Sequence, residues 1–283
     1  MKKAASILIV IAIIASLNGC TSNFKVNEDA VKEASDKITE AIIDNVGKEE
    51  VESQESYTIN AADVSTLNIK SSVGSINITS HESEDAVVNI NFVANSSTKE
   101  KSKQLIENFT YTAEKNINSI DIDTSQSIEN IGDVNIKTNL DIYVPSNIEN
   151  VVISSNVGDI NIKKVNGKFE VACNVSNINI ENSEGIYNLK TDVGKIVLKE
   201  SAVSGKSEFI VNTGDINLSL KDIINAESLN ADTVVGSIKM SLPENSSYEA
   251  FINEFMKDEK IETNGEEKTK INLKTNVGSI DFN

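Results

Sequence analysis

The sequence predicts an all-β repeat protein: a β-solenoid of the two-sheet roll or β-helix type with about 18–22 residues per turn, plus an N-terminal helix and short helical insertions. Three observations predict it. A short phrase recurs, running from a small or β-branched residue through Gly and one polar residue to two apolar residues that flank a polar one. It reads Val73-Gly74-Ser75-Ile76-Asn77-Ile78, and it returns around Gly132, Gly158, Gly194, Gly214, Gly236 and Gly278. An eighth copy, Val175-Ser176-Asn177-Ile178-Asn179-Ile180, carries Ser in place of Gly. The spacing is nearly constant, since positions 158, 176, 194, 214 and 236 follow one another in steps of 18, 18, 20 and 22. Finally, Gly158, Gly167, Ser176, Gly185 and Gly194 fall nine apart, so each turn divides into two short strands with one apolar face apiece.

The phrase itself reads as corner and core. Gly supplies the change of direction, because it adopts positive φ without a Cβ clash. The residues Asn161, Asn179, Asn217, Lys239 and Asp281 are expected to point outward, with the flanking Ile, Leu and Phe pointing in. One turn brings roughly six inward side chains at about 1.5–3 kcal/mol each, against about 1–2 kcal/mol of backbone ordering per residue. A lone turn therefore does not fold, and stability must come from stacking.

Related repeats that would import a function are excluded. A calcium-binding roll needs Asp two residues after a Gly, and here that place holds Ile160, Phe169, Ile178, Tyr187, Ile196 and Ile216. A hexapeptide helix needs an aliphatic residue every sixth position, but counting on from Ile160 reaches Asn166 and Ala172.

At the N-terminus, Lys2-Lys3 precede an apolar run from Ala4 to Ser16, short for a membrane span and suited to a signal-peptide core. It ends in Leu17-Asn18-Gly19-Cys20, which resembles the lipobox of bacterial lipoproteins. Residues 1–19 are thus expected to be a lipoprotein signal peptide, with Cys20 the lipidated first residue of the mature chain. Cys173 continues the alternation of Phe169 and Val171, so it should face the core as a small apolar residue, and with Cys20 acylated no disulfide is expected.

Residues 20–56 are expected to form an acidic helical stalk and linker. Asn27 can cap a helix carrying Val31, Ala34, Ile38, Ala41 and Ile42 at helical spacing, and the Glu- and Ser-rich stretch from Gly47 to Ser56 follows. The solenoid domain is placed at 57–283, interrupted twice. Residues 98–108 read as a helix with Ser97 and Glu100 as a capping box, and residues 249–265 as a second insertion containing Phe251, Ile252, Phe255 and Met256. Either could cover an open end of the stack.

Composition excludes several functions. All 26 basic residues are Lys, none is Arg, and the formal net charge is −17. Arg is the usual bidentate reader of phosphate, so nucleic acid is not expected as a partner. His81 is the only histidine, expected to be solvent-exposed in the turn over residues 80–85; no Ser-His-Asp arrangement or zinc cluster can be assembled around it. Asp121 and Asp123 alternate on the outer face of a strand. No cofactor or metal is implied.

The two prolines mark an internal duplication, since Leu140-Asp141-Ile142-Tyr143-Val144-Pro145-Ser146-Asn147 and Ile238-Lys239-Met240-Ser241-Leu242-Pro243-Glu244-Asn245 share one pattern. Together with the Gly-Asp/Ser-Ile-x-Ile corners and the interposed helix, these strand ends resemble the bacterial putative-adhesin family of β-strand-repeat domains, a family of undefined function. The resemblance covers about residues 57–283, implies a β-solenoid of the cell envelope, and brings no catalytic residue. The expectation is a lipid-anchored, extracytoplasmic structural or interaction protein, not an enzyme, held to the cell membrane through Cys20 and presenting its polar faces to a wall polymer or an envelope protein. The alternatives are an extracellular carbohydrate-active β-helix enzyme and a sensor of envelope stress.

Overall fold

The computed structural model describes residues 49–125, 135–223, 225–254, 257–263 and 268–283, all within one unit, Val46–Asn283. The expected signal peptide, Cys20, the stalk helix, Gly132, Phe255 and Met256 lie outside the described residues. In chain order come β1 (Glu49–Asn60), β2 (Thr66–Val73), β3 (Ile76–His81), β4 (Asp85–Ser96), helix α1 (Lys99–Asn108), β5 (Thr112–Lys115) and β6 (Ser119–Thr124). They are followed by β7 (Asn135–Pro145), β8 (Asn150–Val157), β9 (Ile160–Lys163), β10 (Gly167–Val175), β11 (Ile178–Glu181), β12 (Glu184–Val193) and β13 (Ile196–Val203). The last are β14 (Gly205–Thr213), β15 (Ile216–Asp222), β16 (Ala226–Val235), β17 (Ile238–Ser241), β18 (Tyr248–Glu254), β19 (Lys257–Glu262), β20 (Thr269–Val277) and β21 (Ile280–Phe282).

These strands form two ladders that face each other across one core, the two sides of a β-solenoid. The first runs β5-β6-β2-β8-β10-β12-β14-β16-β20-β18-β19, and the second β1-β4-β7-β3-β9-β11-β13-β15-β17-β21. From β8 to β17 the chain alternates between them, each strand pairing in parallel with its counterpart one turn away. The pairs Gly167↔Gly185, Asn188↔Glu208 and Lys206↔Ser228 differ in position by 18, 20 and 22, which is the period read from the glycines.

Toward the N-terminus spatial order departs from chain order. Strand β2 sits between β6 and β8, with Thr66 beside both Ser119 and Asn150. Strand β3 sits between β7 and β9, and β4 joins β7 and β1 by antiparallel pairing. Next to β3, Leu140, Asp141 and Ile142 form a layer in register with Ile76, Asn77 and Ile78, and the chain at the corner beside Gly74 is Thr138. The expected start at Tyr57 is also too late. Residues 49–56 belong to β1, which pairs along its whole length with β4, because an edge strand needs only its backbone and can carry Glu on both faces.

Inward side chains stack in columns. In the second ladder Leu140, Ile76, Ile160, Ile178, Ile196, Ile216 and Ile238 form one, and Ile142, Ile78, Ile162, Ile180, Leu198, Leu218 and Met240 the next, all buried. In the first ladder the Phe169 and Tyr187 rings stack in parallel with centroids 5.0 Å apart. Cys173 faces the core as expected, a free thiol that burial pushes up to about pKa 11 against the neighbouring Ser176 hydroxyl and Ser155 backbone.

The Gly corner has a steric cause. Gly236 adopts φ 151°, and a Cβ on it would lie 1.9 Å from the Gly214 carbonyl oxygen of the preceding turn. Three residues before the corner stands an inward hydroxyl column. Thr191, Thr233 and Thr275 donate to the preceding corner carbonyls of Ser176, Gly214 and Gly236 at 3.2, 3.0 and 2.9 Å. Where the column holds Cys173, the corner residue Ser176 is buried with its hydroxyl unpartnered, and Ser176 is not among the positive-φ residues.

The ends are closed differently. At the N-terminal end α1 packs on β1 and β4, with Leu105 buried and Ser102 donating to the Glu49 carbonyl at 2.7 Å. Its N-cap is Thr98, which accepts from the Lys101 amide, and not Ser97. The second insertion is β-structure and not a helix. Ala250 and Ile252 point inward while Phe251 and Asn253 point out, a period of two that places β18 parallel to β20 and turns β19 back antiparallel as the edge. Pro145 ends β7 and Pro243 follows β17 by two residues, each at a tight turn, with Ile148 N–H donating to Pro145 O and Ser246 N–H to Pro243 O.

Candidate interaction face

The outward side chains are organised by the same register as the core, so like positions lie about 4.8 Å apart along the stack. On the second ladder Asn179 Nδ2 donates to Asn161 Oδ1 at 3.0 Å, Asn161 to Asn77 at 2.9 Å, and Asn77 to Asp141 at 2.8 Å. Further along the same row Lys239 pairs with Asp281 at 3.2 Å. Beside it Glu181 sits between Lys163 and Lys199, at 3.6 and 3.7 Å. On the first ladder Asn272 donates to Asn230, and Lys190 pairs with Glu208. Asn161, Asn179, Lys239 and Asp281 thus point outward as expected.

Three polar residues just past a corner have a task that the sequence did not disclose. Asp159 accepts from the Asn177 amide at 3.3 Å, Asp215 from the Ser237 amide at 3.1 Å, and Asn139 from the Ser75 amide at 3.0 Å. A carboxylate or amide on one turn satisfies a backbone donor on the next. Lys195 and the Ser237 amide hold the Asp215 carboxyl below its ordinary range.

The remaining titratable candidates do not converge. His81 is half-buried instead of exposed, with Nε2 2.8 Å from the Asp85 carbonyl oxygen and its ring 6.2 Å from that of Tyr143. Burial raises the Asp121 carboxyl, but hydrogen bonds from Asn68 and Asn116 outweigh it and hold it low. Asp123 accepts from the amide and hydroxyl of Ser125. No group of three or more His, Cys, Asp or Glu that could hold a metal ion occurs among the described residues. No helix among them is long and apolar enough to cross a membrane.

Two clusters escaped sequence reasoning. At the N-terminal end the Tyr57 and Tyr111 hydroxyls both donate to Glu55, and these hydrogen bonds hold its carboxyl below the ordinary range. Tyr111 in turn lies against Phe92 and Phe109. Tyr57 and Ile59 alternate, but the acidic residues before them hid the strand. At the opposite end Phe251 projects from the outer face of β18, 43% exposed. Its outward direction follows from the alternation with Ala250 and Ile252, which a reading as an irregular insertion overlooks.

The sequence profile of a family described as Toastrack DUF4097 matches residues 105–283. The match begins inside α1, although β2 and β3 are laced between strands that it covers. No curated protein matches the chain. Among solved structures it is similar to a putative cell adhesion protein from Clostridium sporogenes, at 13% identity over 83% of this chain and 99% of that one, with a TM-score of 0.39. A putative adhesin from Bacteroides fragilis is 17% identical over 82% and 97% of the two chains, with a TM-score of 0.45. Another, from Parabacteroides merdae, is 12% identical over 84% and 98%, with a TM-score of 0.38.

Proposed function

The chain belongs to the Toastrack DUF4097 family, and from that premise we propose that it is a lipid-anchored scaffold on the cell surface that binds a wall polymer or an envelope protein and catalyses no reaction. The observation that carries this reading is the outward register. Polar side chains answer one another from turn to turn, so the chemistry is spread along two faces and not gathered into a cleft. Such a surface suits recognition of something extended.

Anchoring rests on the sequence alone, on Lys2-Lys3, the apolar run and Cys20. The enzyme alternative asks more of Asp121 and Asp123 than their settings offer. Glycoside hydrolysis needs one carboxyl kept protonated at working pH by a raised pKa, and Asp121 is held in the opposite direction.

Expression of the full chain in a bacterium tests the anchor. Cys20→Ala should move the protein from the membrane fraction to the soluble fraction, and unchanged membrane retention would refute anchoring through that thiol. The binding half is tested by capture from envelope extracts on the intact protein. A defined polymer or protein should be retained without new reducing ends, and retention of nothing across several ionic strengths would refute it.

A further inference from the structure

Phe251 stands in an outward row that runs across β16, β20, β18 and β19. In register it lies beside Asn272 of β20 on one side and Lys260 of β19 on the other. The Lys260 ammonium sits over the ring, 5.5 Å from its centroid, and Phe251 is still 43% exposed. Two amide pairs flank the ring: Asn272 Nδ2 donates to Asn230 Oδ1 at 2.7 Å, and Asn253 Nδ2 donates to Asp258 Oδ1. Of the charges around it, Lys260 pairs with Glu249 and Glu262, and Lys274 with Asp232 at 3.8 Å.

We propose that Phe251, with Asn272, Asn230 and the Asn253–Asp258 pair, forms a binding platform for a neutral polysaccharide. An aromatic face packs against the C–H face of a pyranose ring and buries apolar area that water otherwise covers. Each Asn keeps donor and acceptor capacity beyond the one bond it makes here, the set that a vicinal diol uses. A formal net charge of −17 repels anionic polymers. The row spacing of about 4.8 Å is comparable with one sugar unit of an extended chain, so successive units can meet Phe251, Asn272 and Asn230 in turn.

This site deepens the scaffold reading and rests on it. The test is affinity electrophoresis of the intact protein in gels containing a mixed-linkage β-glucan, a galactomannan or an α-glucan, with an anionic polyuronate as comparison. At least one neutral polymer should retard the protein. Phe251→Ala should weaken that retardation roughly tenfold or more, whereas Phe251→Tyr should keep it. Val152→Ala, which removes another exposed apolar side chain from the same ladder face, should leave it unchanged. Circular dichroism identifies any variant that has lost its fold. The proposal is overturned if no neutral polymer retards the wild type, if only the polyuronate does, or if folded Phe251→Ala is retarded equally. Envelope capture that persists with Phe251→Ala would leave the scaffold reading standing while this site fell.

Discussion

Replacing Gly236 by Ala tests the steric basis of the whole stack. The substitution adds one methyl group at φ 151°, 1.9 Å from the Gly214 carbonyl oxygen, about 1 Å nearer than Cβ atoms approach. No rotamer change relieves it, because both partners are backbone. The backbone conformation alone costs about 1–3 kcal/mol for a residue with a Cβ. Relieving the contact means prising two turns apart where Gly214 N–H donates to Val235 O at 2.8 Å and Ile216 N–H to Ser237 O at 3.0 Å. Those bonds contribute about 1 kcal/mol each, so the expected loss is about 3–5 kcal/mol, a large share of the roughly 5–15 kcal/mol typical of a domain. Urea unfolding followed by circular dichroism gives the global number, and amide exchange gives the local one. The Gly214 and Ile216 amides should exchange about a hundredfold faster or more, while Ile160, three turns away, should change far less. A midpoint within about 1 kcal/mol of wild type, with exchange at both amides unaltered, would refute the argument.

Three further outcomes are expected. Ser155→Thr should stabilise by about 1 kcal/mol, read as a higher urea midpoint, because the Ser155 hydroxyl is buried without a partner and Thr in that column reaches the preceding corner carbonyl elsewhere; a lower midpoint would mean the column has no room for the methyl. The Glu55 carboxyl is held low in the folded state by the two tyrosines, so the stability it contributes is present above the ordinary Glu pKa and lost as pH falls through the folded value. Glu55→Gln should therefore flatten the decline in the unfolding midpoint between about pH 5 and pH 3, and an unchanged slope would show that the cluster does not couple to folding. Cys173, whose thiol is pushed up to about 11 by burial, should resist a disulfide reagent at neutral pH and react at once in denaturant; rapid reaction of the native protein would contradict its place in the core.

The middle of the stack was legible because its two signals coincide. Between Asn150 and Ser241 a corner glycine and an alternating apolar pair mark nearly every layer, and the pairing register follows their spacing. The second corner is marked less clearly: Gly167, Gly185 and Gly205 stand where the next strand starts, but the residues that make the turn itself vary. Lys164, Asn182 and Glu200 adopt φ of 57°, 53° and 49°, a left-handed conformation that only Asn takes readily, so side-chain identity did not announce the turn. One N-terminal layer was missed because Leu140-Asp141-Ile142 pairs with Ile76-Asn77-Ile78 without a corner glycine before it. The same blindness covered the sites. Phe251 and the Glu55 cluster acquire meaning only when strands distant in sequence are laid side by side, and nothing in the local pattern of either segment announces its neighbour.

The lacing of β2 and β3 between later strands sets the order in which the chain can assemble. In the middle of the stack Gly167 meets Gly185, a single turn further on, whereas Thr66 of β2 waits for Asn150, beyond the whole of α1 and five intervening strands. Chain-entropy scaling makes the longer closure about 1.4 kcal/mol harder, before any stacking offsets it. A polypeptide emerging N-terminus first therefore presents β2 and β3 before the strands that flank them exist. The middle turns serve as the template, and the early segment docks onto a surface already built. Until Lys163 has emerged, the apolar faces of Leu67, Ile69, Ile76 and Ile78 have no finished layer to meet, which makes the first third of the chain the part most dependent on protection during biogenesis.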